Sequence, residues 1–229
     1  MNIISKILIK RGFSKLVKYI HKNNQRDWTP EETIDFLYSK EGELICPWQF
    51  KEELLQLATE IHEHKPKVVV EIGTANGGTL FMSSRVAQSD ALIVSIDLPD
   101  GDFGGGYPNW KVDIYKSFAR PNQQIHLIRN DSHAQETFDK LKSILGDRKI
   151  DYLFIDGDHT YEGVKVDFEK YRQLLAPNSL VGFHDIVIHK GSSCDVYKFW
   201  NEIKNDFTMK EFVNDWEQNK FGIGVIKHP

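Results

Sequence analysis

The sequence predicts an α/β fold in which a mostly parallel sheet lies between two layers of helices. Short apolar runs of strand type alternate with helical patterns along most of the 229 residues. This alternation is typical of βαβ units, whose helices cover both faces of a parallel sheet. The last two strand-type runs follow each other with no long helix between them. We therefore expect a closing hairpin, which makes one strand of a seven-stranded sheet antiparallel.

Each element is predicted from capping residues, periodicity or an apolar run. Thr29 suits an N-cap and Pro30 the first turn of a helix that runs to about residue 40. A second helix, over residues 49–64, has Leu54, Leu57 and Ile61 on one face. The strands are then predicted at 67–72, 91–96, 124–128, 150–155, 180–183, 207–214 and 221–226, with helices at 77–87, 133–145, 161–175 and 195–205.

Residues 98–121 are predicted to be one long loop. Loops of this length are often lids or binding loops. The run Gly104–Gly106 allows the backbone to move, and the aromatic side chains of Phe103, Tyr107 and Trp110 could cover a substrate. These residues favour a lid over a surface excursion.

Residues 1–44 are predicted to be an N-terminal helical extension, and residues 45–229 one domain. The first 26 residues carry seven basic side chains and no acidic one, with apolar residues at roughly helical spacing. The pattern favours an amphipathic helix that packs on the domain or on a sister subunit. Contact with an anionic membrane surface or an acidic partner is the alternative.

Charge and cysteine content limit the possible classes of protein. The net charge is −4, which gives the whole molecule no electrostatic case for binding nucleic acid. The two cysteines, Cys46 and Cys194, match no metal-binding spacing, and we expect reduced thiols in a cytoplasmic protein. No apolar stretch approaches the roughly 20 residues that span a bilayer.

A glycine-rich turn follows the first strand and predicts a nucleotide-like ligand. Glycines let the backbone approach a ligand closely, and the next helix begins with N–H groups that have no partner within the helix. Asp97 ends the second strand, where an acid can accept both hydroxyls of a ribose. The turn, Gly73-x-x-x-Gly77-Gly78, differs from the Gly-x-Gly-x-x-Gly pattern of NAD-binding proteins.

Acidic residues and histidines follow the fourth and fifth strands. Asp156, Asp158 and His159 come after one strand, and His184 and Asp185 end the next. Ligands of open α/β sheets bind beyond the carboxyl ends of the strands, so we expect these side chains to share one crevice. Such a group holds a divalent cation or moves protons.

These motifs resemble those of a known family. Glu71-x-Gly73-x-x-x-Gly77 with Asp97 resembles the S-adenosylmethionine site of class I methyltransferases, which have a Rossmann-like three-layer sandwich fold. The segments Phe154–Asp167 and Phe183–Asp185 are similar to the subfamily that contains sugar O-methyltransferases of macrolide biosynthesis and proteins named cephalosporin hydroxylases. The resemblance covers roughly residues 45–226.

The resemblance implies a role for each matching residue. Asp156 and Asp185 would be metal ligands together with His184, where the macrolide relatives have an acid, and the metal would be Mg²⁺ or Mn²⁺. His159 would be the general base, with Asp156 also catalytic. The implied cofactor-binding residues are Glu71, Gly73, Thr74, Ala75, Asn76, Gly77, Gly78, Asp97 (ribose), Asp131 and Ser132 (adenine), and Asp156.

The hypothesis is therefore a metal-assisted O-methyltransferase that acts on a hydroxyl of a sugar or small metabolite, in a chain that could form homo-oligomers. A hydroxylase with His159, His184 and one aspartate on iron is the first alternative. A non-catalytic protein that binds an adenosyl ligand is the second. Asp158, Glu162 and Asp167 are interpreted as loop, capping or helix-surface residues. Trp48 and Gln49 could line the crevice, and Trp48 could equally belong to the core. His126, His133 and His189 receive no role.

Overall fold

The structure is a computed structural model that describes residues 3–99 and 106–229. The described strands form one sheet in the order β3-β2-β1-β4-β5-β7-β6. They are β1 (Val68–Ile72), β2 (Leu92–Ile96), β3 (Gln124–Ile128), β4 (Ile150–Ile155), β5 (Leu175–His184), β6 (Thr208–Phe212) and β7 (Ile223–Lys227). β7 runs antiparallel to both of its neighbours, and the other described pairs are parallel. The predicted fold class, with one antiparallel strand, is confirmed.

Helices cover both faces of this sheet. They are α1 (Ile3–Asn23), α2 (Pro30–Leu37), α3 (Lys51–His64), α4 (Gly78–Val86), α5 (Val112–Lys116), α6 (Gln135–Leu145), α7 (Tyr161–Tyr171) and α8 (Val196–Ile203). Val69 points into the cluster under α1–α4, whereas Val68 and Val70 point into the cluster under α6–α8. Because β1 and β2 are buried on both faces, their sequences read as continuous apolar runs.

The N-terminal helix shares the first of these clusters. Phe13, Leu16 and Ile20 are buried with the side chains of α2, α3 and α4, and the intervening lysines face solvent. The apolar stripe predicted from the sequence is therefore used in packing on the protein body. Among residues 3–99 and 106–229, none of the helices is long and apolar enough to cross a membrane.

The predicted loop over residues 98–121 was wrong in part. A 3₁₀ turn at Asn109–Lys111 and the helix α5 lie within it. The ring centres of Tyr107 and Tyr115 are 4.8 Å apart, and Trp110 packs edge-on against Phe13. Tertiary packing therefore stabilises this short helix. Tyr107 and Trp110 thus lie against the protein body, while Phe103, Gly104 and Gly105 fall outside the described residues.

Two element lengths also differ from the prediction. β5 begins at Leu175 rather than Leu180, and α7 ends at Tyr171 in a 3₁₀ turn. The early part of β5 contains exposed residues and a register shift opposite Ile150 and Tyr152, which interrupts the apolar pattern. The helical pattern of residues 172–174 is real but tighter than an α-helix.

Candidate functional site

A cleft of about 570 Å³ opens at the carboxyl ends of β1, β2, β4 and β5. The parallel register aligns Ile72 with Ile96 and with Ile155, so the residues that follow these strands meet at one edge. Most of the predicted site residues line the cleft: Gly73, Thr74, Ala75, Asn76, Gly78, Asp97, Asp131, Ser132, Asp156, Asp158, His159, His184 and Asp185. Glu71 and Gly77 lie behind this surface rather than on it.

The glycine turn has a backbone that its sequence requires. Gly73 has φ of +96°, and a Cβ there would lie 1.9 Å from the carbonyl oxygen of Asp156. Ala75 is also left-handed, with φ of +41°, a conformation that costs alanine energy. Its carbonyl accepts a hydrogen bond from the Tyr115 hydroxyl at 2.9 Å, which helps to hold this strained residue.

Asp97 organises the turn from the end of β2. Its Oδ2 accepts hydrogen bonds from the backbone N–H groups of Thr74 and Ala75, both at 2.8 Å, and its Oδ1 accepts one from Gly106 at 2.5 Å. Burial raises the pKa of Asp97, and these three N–H donors work in the opposite direction. The carboxylate therefore lies between the turn and the start of the 106–121 segment, at the position where the sequence predicts a ribose.

Glu71 is buried beneath the turn. Its Oε1 accepts a hydrogen bond from the Ser95 hydroxyl at 2.8 Å, and Ser95 in turn shares a short hydrogen bond with Thr74. Burial raises the pKa of Glu71 to about 8, with Asp156 and Asp97 acting in the same direction. Near neutral pH this side chain is a protonated carboxyl that supports the turn from below.

The acids and histidines after β4 and β5 form one compact group, called here the acid–histidine cluster (Asp156, His159, His184 and Asp185). Asp156 Oδ1 lies 3.3 Å from His159 Nε2 and 3.1 Å from His184 Nδ1. Asp185 Oδ2 lies 3.1 Å from His159 Nδ1, and its Oδ1 lies 3.2 Å from His184 Nδ1. Asp185 has φ of +62°, and backbone strain of this kind concentrates at functional sites.

The cluster has the donor set and spacing of a divalent cation site. The nearest ligand atoms of Asp156, His184 and Asp185 lie within 4.8 Å of one another. His184 Nδ1 and Asp185 Oδ1 are buried, and their contacts of 3.1–3.2 Å within the cluster are ion-pair distances without the angles of a hydrogen bond. Electron-rich atoms at this spacing need a positive charge between them, either a proton on His184 or a cation. Two carboxylates and one imidazole suit Mg²⁺ or Mn²⁺.

A hydrogen-bond chain from α3 orients the imidazole of His184. Its Nε2 lies 3.1 Å from Gln49 Oε1, and Gln49 Nε2 donates to Glu53 Oε2 at 2.6 Å. Glu53 also accepts N–H groups from Asn214, Gln218 and Gly222. Because the carboxylate accepts only, the Gln49 amide must turn its oxygen to His184. His184 therefore carries a proton on Nε2, and its Nδ1 faces the two aspartates.

The charge state of the cluster without a cation follows from its geometry. Burial alone would lower the pKa of both histidines. The neighbouring carboxylates instead raise the pKa of His159 to about 10 and the pKa of His184 well above its usual value. Burial would raise the pKa of Asp156 and Asp185, but the histidines hold both below the usual range. The cluster then consists of imidazolium–carboxylate pairs.

Two residues of this region were missed by sequence reasoning. His189 Nε2 lies 3.1 Å from Asp185 Oδ1 and accepts a hydrogen bond from the Phe221 backbone N–H at 2.9 Å. Cys194 is buried, and its Sγ lies within 4.8 Å of ligand atoms of His159 and Asp185. The spacing of four residues between Asp185 and His189 was the available signal for the histidine.

Several interpretations of single residues are now decided. Asp158 Oδ1 accepts the Thr160 N–H at 2.9 Å, which is the expected loop role. The interpretation of Asp167 as a helix-surface residue was wrong, because this carboxyl is fully buried 3.4 Å from His133 Nε2. His133 lines the cleft, although it was given no role. Trp48 is 71% exposed at the cleft and does not belong to the core.

The wall next to Asp131 and Ser132 is held by backbone contacts. Asp131 Oδ1 accepts the His133 N–H at 2.8 Å, and the Ser132 carbonyl accepts the Tyr171 hydroxyl at 2.8 Å. These bonds order the loop after β3 against α7. The loop lies at the side of the cleft where the resemblance places adenine.

Comparison with known proteins finds relatives of this chain. A family model described as "Methyltransferase domain" matches residues 70–186. The uncharacterised protein y4gI of Sinorhizobium fredii (strain NBRC 101917 / NGR234) is 30% identical over 146 residues, which are 62% of this chain. The chain spans only 16% of the length of that relative.

Two solved structures share the fold. The O-methyltransferase from Bacillus cereus in complex with SAH has a TM-score of 0.55 and 17% identity, and the match covers 88% of this chain and 91% of that one. The O-methyltransferase TomG from Streptomyces achromogenes, involved in tomaymycin synthesis and solved with SAM, has a TM-score of 0.57 and 15% identity. That match covers 96% of this chain and 98% of TomG.

Proposed function

The chain belongs to the methyltransferase domain family, and on that premise we propose that it transfers a methyl group from S-adenosylmethionine to a hydroxyl group with the help of a divalent cation. The acceptor is a sugar or another small metabolite with neighbouring hydroxyls. The observation that carries the proposal is the convergence of the glycine turn and the acid–histidine cluster in a single cleft. The glycine turn supplies a cofactor site, and the acid–histidine cluster supplies a site for proton removal.

The cofactor lies along the turn in this proposal. The first N–H groups of α4, which begins at Gly78, have no partner within the helix and face the methionine carboxylate in this proposal. Asp97 accepts the ribose hydroxyls through Oδ1. The ribose then replaces the Gly106 N–H, which donates to the same oxygen in this structure. The adenine lies by Asp131 and Ser132. The Bacillus cereus enzyme with SAH and TomG with SAM support this ligand, since both share the fold.

Asp156, His184 and Asp185 would hold the cation through two carboxylate oxygens and His184 Nδ1. When bound, the cation lowers the pKa of a coordinated hydroxyl and orients neighbouring oxygens of the acceptor. The positive charge also offsets the two carboxylates that raise the pKa of His159. His159 then has an unprotonated ring nitrogen near neutral pH, which a general base needs.

The reaction is an in-line displacement at the methyl carbon. His159 takes the hydroxyl proton, and the acceptor oxygen forms a bond to the methyl carbon. The bond from that carbon to the sulfonium sulfur breaks, and its electron pair stays on sulfur to give S-adenosylhomocysteine. The walls of the cleft hold donor and acceptor in line, which supplies much of the rate.

The hydroxylase alternative receives less support from the ligand geometry. Among the described residues, two groups of ligand atoms are close enough for a metal, and each contains a single histidine. A facial triad of two histidines and one carboxylate needs both histidines on one metal. His159 and His184 belong to different groups, although Asp156 Oδ1 lies within 3.3 Å of a nitrogen of each.

The test is calorimetric titration of S-adenosylhomocysteine into the wild type, with and without EDTA, and into Asp97→Ala. We expect micromolar binding that survives EDTA and is lost in Asp97→Ala. Asp113→Ala, which changes an acid of α5 away from the cleft, serves as the control. Absence of binding to the wild type under every condition would contradict the methyltransferase proposal.

Acceptors are then screened with radiolabelled S-adenosylmethionine and a panel of sugars that carry vicinal hydroxyls. Methyl transfer should require Mg²⁺ or Mn²⁺ and should be lost in His159→Ala while the affinity for S-adenosylhomocysteine is kept. Transfer that continues at the same rate in EDTA would contradict the role of the cation.

A further inference from the structure

A second cavity, of about 210 Å³, lies away from the cleft and shares no described lining residue with it. It is formed where α3 and α4 end and the segment after α1 crosses them. Half of its ten lining residues are basic or aromatic. The lining residues that carry the argument are Trp28, His62, Lys65, Arg85 and Arg120, with Asp27 at the edge.

Arg85 is the unusual member of this cavity. The residue is only 2% exposed, and none of its three guanidinium nitrogens has a hydrogen-bond partner among the described residues. Its guanidinium carbon lies 4.7 Å from the ring centre of Phe81 and 5.7 Å from that of Trp28. The ring faces attract the charge, but they leave its N–H donors without acceptors of ordinary strength. A buried charge without a partner is costly.

The neighbouring charges add to this positive potential. Arg120 is also buried; it donates to the Ala87 carbonyl at 2.6 Å and lies 3.3 Å from Asp27 Oδ1. The Asp27 side chain is 99% exposed, so its charge is screened by water. Lys65 and His62 are exposed at the cavity edge. Burial lowers the pKa of Arg85 to about 9, and Arg120 and Arg26 act in the same direction, so Arg85 stays charged near neutral pH.

We propose that this cavity binds a small oxyanion, a phosphate or carboxylate group, between the guanidinium groups of Arg85 and Arg120. A planar guanidinium presents paired N–H donors that match two oxygens of such an anion. An anion here supplies the acceptors that Arg85 lacks and offsets the charge of both arginines. Lys65 stands at the entrance, where its charge attracts the anion. This site is independent of the methyl-transfer proposal, because none of its residues lines the cleft.

The experiment compares thermal unfolding in sodium chloride, phosphate and succinate at equal ionic strength and pH, together with calorimetric titration of inorganic phosphate and of succinate. The variants are Arg85→Met, which keeps the length of the side chain and removes its charge, and Arg120→Gln. The control is Arg172→Gln. Arg172 follows the end of α7, pairs with Glu169 of that helix at 3.2 Å and lies outside both cavities.

We expect a saturable rise in Tm with one of the two anions for the wild type and for Arg172→Gln. The dissociation constant should be at least tenfold higher in Arg85→Met and in Arg120→Gln. The anion with the lower dissociation constant identifies the group that the cavity accepts. If Arg85→Met does not fold, Arg120→Gln alone decides the matter.

Two results would overturn the proposal. The first is a wild-type Tm that is the same in all three salts, together with a higher Tm of Arg85→Met in chloride. Arg85 would then be a buried cation held by aromatic rings alone. The second is anion binding of wild-type strength in both variants, which would place the anion elsewhere.

Discussion

Replacing Gln49 with leucine tests how the protein orients His184. The amide oxygen of Gln49 accepts from His184 Nε2 at 3.1 Å, and its amide nitrogen donates to Glu53 at 2.6 Å. Leucine has a similar size but no polar atoms, so both bonds are lost. The Nε2–H of His184 then has no acceptor that holds the ring in place, so Nδ1 is no longer fixed toward Asp156 and Asp185 as a ligand for a cation.

The magnitude follows from the number of groups left without partners. The buried Nε2–H of His184 loses its acceptor, which costs about 1–3 kcal/mol of stability. Glu53 keeps its bonds from Asn214, Gln218 and Gly222 and adds little to this cost. In a chain of this length each kcal/mol lowers Tm by about 2–4 °C. Loss of such an orienting partner typically weakens metal binding about 10–100-fold, or about 1.4–2.7 kcal/mol.

The assay is calorimetric titration of Mn²⁺ into protein stripped with EDTA, followed by titration of S-adenosylhomocysteine. Gln49→Leu should weaken Mn²⁺ binding and leave S-adenosylhomocysteine binding unchanged. Gln56→Leu is the matched control, since this exposed glutamine of α3 bonds only to the backbone of its own helix among the described residues. Wild-type affinity for Mn²⁺ in Gln49→Leu would refute the argument that Gln49 orients His184 for the cation.

Four further predictions address the cluster and the turn. Asp185→Asn should lose Mn²⁺ binding while its affinity for S-adenosylhomocysteine stays within twofold of the wild type, as measured by calorimetry; loss of both would indicate a misfolded turn. Gly73→Ala should destabilise the protein by about 2–5 kcal/mol in urea unfolding, because the new methyl meets a carbonyl oxygen at 1.9 Å, whereas Gly146→Ala, with a positive φ but open space, carries the backbone strain alone and should cost less. The raised pKa of His159, about 10 against an ordinary 6.5, stabilises the metal-free protein fully below about pH 6.5, and this contribution is lost as the pH rises toward 10; the Tm measured in EDTA should fall over that range, and a Tm that rises would reverse the assigned sign. Mn²⁺ affinity should increase over the same range, because the cation displaces protons from the histidines.

Many features of the cleft could be predicted from the sequence because chain order and strand direction place them. A parallel sheet brings the carboxyl ends of its strands to one edge, so the acids and histidines after β4 and β5 were expected to share one crevice. The turn at Gly73 was visible because only glycine allows that backbone. These signals are local: each is a residue type at a fixed distance from the end of an apolar run.

The partners of these residues could not be predicted in the same way. Gln49 and His184 are 135 positions apart, and their contact depends on how α3 packs beside β6 and β7. Nothing in the periodicity near Gln49 indicates which histidine it meets. Arg85 belongs to the short helix α4, every residue of which is buried. Its sequence therefore has no polar face from which the burial of Arg85 could be predicted.

Apart from α5, the sequence by itself determined the order of strands and helices, the turn and the acids at the edge of the sheet, because hydrophobic period and special backbone conformations are properties of short segments. Only the tertiary structure decided the proton position of His184, the approach of His189 and Cys194 to Asp185, and the burial of Arg85 without a partner. These depend on the direction in which distant segments pack. The free energy of a buried polar group is set by the neighbours that packing brings to it.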